Sequence, residues 1–282
     1  MRVLVTGATG QLGQDVVTLF SQAHEVLGLG SKQLDITDAE QCLEQVKGFQ
    51  PEVIVHCAAY TAVDQAEQDE DTAYAVNAMG TRNLVNAANT VGSKFCYIST
   101  DYVFDGNGTL PYREYDNTNP TGVYGKSKRA GEVLVQSLSN QYFIVRTSWV
   151  YGLHGNNFVK TMLKLASDRD QLKVVHDQVG SPTFTEDLSL FLLELIQTDK
   201  YGIYHASNSG TCSWFEFAKA IFDEANVSIQ VEPCTTDEFP RPAPRPAYSV
   251  MEHLAIRANG FQDLRAWRDG LKAFMSKYKA TN

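Results

Sequence analysis

Residues 2–13 read RVLVTGATGQLG: a short β-branched run at 2–5, then glycines at 7, 10 and 13. Val16, Val17, Leu19 and Phe20 follow at helical spacing. Strand, glycine turn and helix in that order are the context a dinucleotide-binding turn requires. The spacing is G-x-x-G-x-x-G, not G-x-G-x-x-G, but the physics is shared. Glycines let the backbone approach a pyrophosphate at a helix N-terminus, where free N–H groups and the helix dipole favour an anion. Glycine turns between strand and helix also serve plain packing, so this one is weighed with the rest of the chain.

Further strand candidates recur at 25–29 (EVLGL), 53–57 (VIVHC), 95–99 (FCYIS), 143–147 (FIVRT) and 202–206 (GIYHA). Helical patterns lie between them, one through Ala73, Val76, Met79/Gly80, Leu84 and Ala88. Buried strands alternating with helices predict right-handed βαβ units and a doubly wound, Rossmann-like parallel sheet of the α/β class. After 150 the rhythm breaks. Residues 156–166 and 187–197 read as helices, and 172–178 as a strand. FPRPAPRPAYS (239–249) reads as an extended loop because each proline restricts the residue before it. Leu264, Trp267, Leu271 and Met275 fall along one face of a last helix. The expected organisation is a dinucleotide-binding domain over 1–150, to which 182–205 returns, and a smaller α/β substrate-binding lobe from 151–181 and 206–282.

With 282 residues, 43% of them hydrophobic, the chain can bury a substantial core. A net charge of −9 argues against a general nucleic-acid binder but allows a local basic pocket for an anionic ligand. Five cysteines without a CxxC pair read as free thiols in a reducing compartment. The six histidines show no ligand spacing, so no metal site is predicted. No signal peptide or long apolar span is read, and the expected location is cytoplasmic, with no membrane partner.

The residues after the second strand bear on which dinucleotide fits. A carboxylate there would bind a ribose 2′-OH and repel a 2′-phosphate. This chain has Gly30, Ser31 and Lys32 instead, which favours NADPH and leaves NADH open. Asp35, in LDITD, either meets the adenine or caps the next helix. In VYGKSK (123–128) a helix would bring Tyr124 and Lys128 onto one face. A cation beside a phenol favours its ionised form. The plainer alternative is an exposed helix start.

Together with the glycine turn, ISTDYVFDG (98–106) and YGKSK resemble the extended branch of the short-chain dehydrogenase/reductase superfamily. HCAAYTAVDQAE (56–67), RTSWVYG (146–152), NNFVKTM (156–162) and DQVGSPT (177–183) narrow the resemblance to the dTDP-4-dehydrorhamnose reductases. It covers nearly the whole chain and is weakest after about residue 210. The resemblance implies Thr100, Tyr124 and Lys128 as catalytic residues. Tyr124 would donate a proton to the substrate carbonyl, Thr100 would bond the same oxygen, and Lys128 would hold the nicotinamide ribose. It places Gly10, Gln11 and Leu12 at the pyrophosphate, and Asp35 and Ile36 at the adenine. Ala59, Tyr60 and Thr61 would lie beside the nicotinamide half, with Asn77 near the cofactor. Thr61, Val63, Thr100, Asp101, Tyr124 and Trp149 would contact the sugar nucleotide, although Val63 and Trp149 also suit a core and Asp101 a turn cap.

The implied reaction is NADPH-dependent reduction of dTDP-4-dehydro-L-rhamnose to dTDP-L-rhamnose, a step of dTDP-rhamnose biosynthesis for cell-wall polysaccharide. Related dehydratases carry Thr-Asp-Glu where this chain has Thr100, Asp101 and Tyr102, which speaks for a plain ketone reductase. The missing acid after the second strand speaks against an epimerase. Two alternatives stay open: a reductase of another 4-keto-6-deoxy sugar nucleotide, and a non-catalytic regulatory subunit like that of methionine adenosyltransferase. Some family members are metal-linked dimers. Asp15 matches one of their carboxylates but the C-terminal tail offers none, so Mg²⁺ and the choice between monomer and homodimer stay open. Arg241 and Arg245 are candidates for a diphosphate or for ordinary loop surface.

Overall fold

The computed structural model describes residues 1–281. The first half runs β1 (Arg2–Thr6), α1 (Gln11–Phe20), β2 (Glu25–Leu29), α2 (Ala39–Phe49), β3 (Val53–His56), α3 (Val63–Ala66) and α4 (Glu70–Tyr74). A π-helical stretch, Ala75–Gly80, then leads into α5 (Thr81–Val91) and β4 (Lys94–Thr100). Next come α6 (Val123–Leu138), β5 (Tyr142–Thr147), β6 (Val150–Tyr151), α7 (Phe158–Asp168), β7 (Gln171–Val175), β8 (Val179–Gly180) and β9 (Thr183–Phe184). The remainder is α8 (Thr185–Leu195), β10 (Gly202–His205), β11 (Cys212–Ser213), α9 (Trp214–Ala225), β12 (Gln230–Cys234), α10 (Leu254–Ala258) and α11 (Trp267–Thr281).

Six strands form one sheet in the order β10-β5-β4-β3-β1-β2, every neighbouring pair parallel. The winding reverses between β1 and β3, and open α/β sheets hold ligands outside the strand ends at such a point. Side chains alternate across each strand. Val3 and Val5 of β1 therefore face a core with Val16 and Phe20 of α1 and Leu188 and Leu192 of α8. Leu4 faces the opposite core with Val46, Leu84 and Val135 from α2, α5 and α6. This is the doubly wound α/β sheet the alternation predicts.

A further core unites Tyr151, Val159, Met162, Val174, Phe217 and Leu271 above the sheet, where β7 pairs in parallel with β12. Ile256, Phe261 and Leu264, expected in the smaller lobe, pack instead in the sheet core. Leu264 precedes α11 and does not share the face of Trp267, Leu271 and Met275, which pack in the further core. The 70–91 stretch departs from simple helical spacing as well. Its π-helical turns rotate Met79 into solvent (43% exposed) and bury Gly80. A Cβ on Gly80 would lie 2.7 Å from Ile36 Cγ1, so glycine lets that chain crossing close.

Candidate active site

The glycine turn joins β1 to α1 at the switch point. Gly7 has φ +66°, a left-handed backbone costly for other residues, and a Cβ there would lie 2.6 Å from Ala58 N. Gly10 caps the N-terminus of α1 without a side chain of its own. A Cβ on Gly13 would overlap the Gly7 carbonyl oxygen, so Gly13 serves packing between helix and turn. It does not line the cavity above them.

That cavity, of about 990 Å³, runs along the carboxyl ends of β1, β3 and β4. On the turn side its walls include Gly7, Gly10, Gln11, Leu12, Gly30, Ser31, Asp35 and Ile36. Across the switch point they include Ala59, Tyr60, Thr61, Val63, Thr100, Asp101, Tyr124, Lys128 and Trp149. Lys32 and Asn77 fall outside the lining. Lys32 is exposed. Asn77 is buried one layer back: its Oδ1 accepts from Tyr60 N at 2.8 Å, and its Nδ2 donates to Tyr60 O at 3.1 Å and to Ser127 Oγ at 2.9 Å. It ties the loop after β3 to α6.

Two predicted residues have their side chains engaged elsewhere. Gln11 donates from Nε2 to Val150 O at 3.1 Å, and its Oε1 accepts from Gly152 N at 3.1 Å and Asn157 Nδ2 at 2.8 Å. The turn is thereby bonded to the loop preceding α7. Asp35 Oδ1 accepts from Thr37 N at 2.9 Å and Thr37 Oγ1 at 2.7 Å. The cap of α2 is Asp38, which accepts from Glu40 N and Gln41 N.

Tyr124 and Lys128 lie in the first turns of α6, whose Val123 N donates to Glu67 Oε1 at 2.8 Å and so leaves one fewer unmet donor at that end. Thr100 ends β4; its hydroxyl donates to Asp101 Oδ1 at 3.0 Å and accepts from Tyr102 N at 3.2 Å. Burial raises the Tyr124 phenol, a hydrogen bond with Thr100 pulls it back, and Asp101 and Tyr102 push it up. Burial lifts Asp101 to about 6. Lys128 is 2% exposed and donates from Nζ to Ile98 O at 2.7 Å, 3.9 Å from the centre of the Tyr97 ring. Burial lowers it to about 7, opposed by Glu132 and then by Cys57. Here the lysine is engaged by the end of β4, so the phenol is governed by its own burial and by Thr100.

Trp149 carries φ +47°, an uncommon backbone for a bulky residue and one that clusters at functional sites. Its ring stacks on Trp214 with centroids 3.5 Å apart, and a Cβ on Gly180 would lie 2.6 Å from Trp149 Cε2. Trp149, Val63 and Tyr102 line both the first cavity and a second of about 820 Å³. Lys173, Arg169, Arg241 and Arg245 bring positive charge to this second space, with Phe158 and Trp214 as apolar wall. Arg245 Nη2 donates to Asp64 Oδ1 at 2.8 Å, and Arg241 Nη1 stands 3.9 Å from Asp64 Oδ2. Arg245 Nη1 is buried with no hydrogen-bond partner among the described residues. Sequence reasoning passed over Trp214, Arg169 and Lys173, which carry no motif and reach the site only through the packing of α7, β7 and α9.

Asp15 accepts from Thr185 Oγ1 and stands 3.5 Å from His154 Nε2. Among the described residues no group of three or more His, Cys, Asp or Glu side chains is gathered to hold a metal ion, and no helix is long and apolar enough to cross a membrane.

A family model described as RmlD substrate binding domain matches residues 1–280. The dTDP-4-dehydrorhamnose reductase of Aggregatibacter actinomycetemcomitans is 44% identical, covering 96% of this chain and 97% of that protein. The chain belongs to the dTDP-4-dehydrorhamnose reductase family. Another relative is the spore coat polysaccharide biosynthesis protein SpsK of Bacillus subtilis, 45% identical over 98% of this chain and 97% of its own length. Among solved structures, the dTDP-4-dehydrorhamnose reductase of Bacillus anthracis in complex with NADP superposes with a TM-score of 0.96. It is 49% identical, covering 98% of this chain and 99% of that one. The doubly wound parallel sheet is the fold this chain shares with that structure.

Proposed function

We propose that the chain reduces the 4-keto group of dTDP-4-dehydro-L-rhamnose with NADPH to give dTDP-L-rhamnose. One observation carries the reading: Thr100, Tyr124 and Lys128 face the same cavity as the glycine turn, and that cavity meets a second, cationic one at Val63, Tyr102 and Trp149. Cofactor and sugar nucleotide thus have adjoining spaces with the proton-bearing groups where they meet. The sheet with 1–150, 182–205 and 254–264 is the cofactor half; the core around Tyr151 and Phe217 is the substrate half.

The residues present fit the dinucleotide. The turn from Gly7 to Gly10 is a cradle that a Cβ would fill, at a helix N-terminus suited to a pyrophosphate. Gly30 and Ser31 line the cavity beyond β2 with no carboxylate in that stretch, which suits a 2′-phosphate. When bound, the reduced nicotinamide supplies a hydride to the ketone carbon. The charge that develops on the ketone oxygen is met by Tyr124, the proton donor, and Thr100, the second hydrogen-bond partner. Lys128 would hold the ribose with donors of its ammonium that the Ile98 carbonyl leaves free. Arg245 and Arg241 take the diphosphate, and Asp64 holds Arg245 in place.

Loss of NADPH absorbance on addition of the keto sugar nucleotide tests the reading, with product identified as dTDP-L-rhamnose and NADH run beside it. Tyr124→Phe is expected to lower turnover at least about a hundredfold while NADPH still binds. A Tyr124→Phe variant with unchanged turnover would overturn the proton-donor role.

A further inference from the structure

A buried charge cluster lies behind the reacting residues. Glu132, on α6 one turn after Lys128, has no exposed surface. Its Oε1 accepts from Ser99 Oγ at 2.6 Å and Arg146 Nε at 2.8 Å; its Oε2 accepts from Arg146 Nη2 at 2.8 Å and Arg129 Nη1 at 3.3 Å. Arg146, on β5, is 2% exposed, and its guanidinium carbon lies 5.1 Å from the centre of the Phe104 ring. Its Nη1 stands 3.3 Å from His205 Nε2 on β10. His205 Nδ1 faces two carbonyl oxygens, Tyr112 O and Glu252 O, each at 3.1 Å. Carbonyls only accept, so Nδ1 carries the proton and Nε2 accepts from Arg146. Burial, then Arg146 and His253, keep that imidazole neutral.

Taking such a pair out of water offsets most of its attraction, and well-packed apolar residues often serve stability as well. What the cluster does supply is fixed geometry. Ser99, which bonds Glu132, follows Ile98, whose carbonyl holds the Lys128 ammonium, and precedes Thr100. One carboxylate on α6 therefore grips the end of β4 that carries both contacts, while β5 grips the carboxylate. We propose that Glu132 is a positioning residue for the reduction, holding Lys128 and Thr100 in one frame and placing a negative charge on the lysine's own helix one turn away. The other groups set against Lys128 are His56 and Cys57 at the end of β3 and Tyr97 on β4, while Tyr124 shares its cavity wall. His56 is held neutral by burial and Lys128 itself, and burial raises the Tyr97 phenol and the Cys57 thiol, so none of these matches Glu132 as a source of negative charge at neutral pH.

The proposal deepens the reductase reading and is tested partly without it. Lysine labelled with ¹³C at Cε, assigned by Lys128→Arg, reports the Lys128 titration in the substrate-free protein. Glu132→Gln removes the charge and keeps an acceptor; the double variant Glu132→Leu/Arg146→Met removes both charges and strands neither. In Glu132→Gln the titration midpoint is expected to fall by about one pH unit or more, and in the double variant, whose lost charges oppose each other, by less. With NADPH and the keto sugar nucleotide, kcat is expected to fall at least about tenfold, and the alkaline limb of the pH profile to move down with the titration. If Glu132→Gln does not fold, the double variant decides through kcat. A folded Glu132→Gln with an unmoved Lys128 titration would overturn the proposal, as would a cooperatively folding double variant with wild-type kcat. A wild-type protein that does not reduce this sugar would defeat the functional reading alone, because the titration still reports on Glu132.

Discussion

The Asp64 carboxylate and the Arg245 guanidinium meet at 2.8 Å although the residues stand 181 positions apart. Asp64 sits on α3 beside Val63, at the junction of the two cavities, and Ala243 N donates to the same carboxylate oxygen at 3.3 Å. The proline loop is therefore pinned over the cleft by one acidic side chain. The unpartnered Nη1 of Arg245 is left as a donor for an anion.

Removing that donor should weaken binding of the sugar nucleotide more than it slows the chemistry. A hydrogen bond to a charged group contributes about 1.5–3 kcal/mol, so Arg245→Ala is expected to raise KM for the sugar nucleotide roughly 10- to 100-fold. The value of kcat should stay within a few-fold. Asp64→Asn should act in the same direction and more weakly. Steady-state kinetics read both, and an unchanged KM in Arg245→Ala would exclude the contact.

Gln11 makes three hydrogen bonds, to Val150 of β6, to Gly152 of the loop before α7 and to Asn157, which caps α7. At about 1 kcal/mol net for each, Gln11→Ala is expected to cost about 2–3 kcal/mol of unfolding free energy in a urea titration. Val150 of β6 and Gly155 and Asn156 of that loop wall the first cavity. NADPH affinity should therefore fall as well. A variant as stable as wild type would mean that the loop holds without this residue.

Gly13 stands outside the cavity lining, yet its substitution should reach the cofactor site. The Cβ of Gly13→Ala would overlap the Gly7 carbonyl oxygen, so α1 must shift off the turn. Overpacking of this kind costs about 1–3 kcal/mol. Calorimetry should show the lower Tm, and fluorescence titration a weaker NADPH complex. Wild-type values in both would show that the turn yields without loss.

Lys128 is held at about 7, well below the ordinary lysine value of 10.5, chiefly by burial. In the folded state the proton is lost near pH 7, while the unfolded chain keeps it to about 10.5. Wild-type stability should therefore gain from this residue's titration as pH rises through that window, the cost of the buried charge being full below it. Lys128→Met is expected to be more stable than wild type at pH 6 by a few kcal/mol. Each pH unit between the folded and unfolded titrations is worth about 1.4 kcal/mol, and the lost Ile98 contact is subtracted from the total. The difference should shrink toward pH 10. Denaturant midpoints across pH measure it, and a variant less stable than wild type at pH 6 would contradict the burial cost. Turnover should be lost at every pH.

The legible parts of this protein were the ones written within a few residues. The turn at 7–13 needs only the backbone freedom of glycine and the start of the helix it introduces. Tyr124 and Lys128 share a face because a helix repeats within four residues. Alternation of β-branched runs with helical spacing was enough for the parallel sheet, since both periods are local. The reading of one uninterrupted face failed where the chain broke between Leu264 and α11, whereas at Met79/Gly80 the π-helical stretch buries Gly80 and leaves Met79 outside.

By itself the amino-acid sequence determined the fold class and the glycine turn, because both rest on short-range geometry; the candidate reacting set of Thr100, Tyr124 and Lys128 is what the family resemblance implies. Only the tertiary structure decided how the side chains are engaged. Gln11 bonds Asn157, Asp64 bonds Arg245, and Glu132 joins Ser99 to Arg146, across separations of 146, 181 and up to 33 residues. No local period encodes such pairs. They exist because packing brings distant polar groups into space with little water, where each must find a partner, and the partner it finds depends on the whole fold.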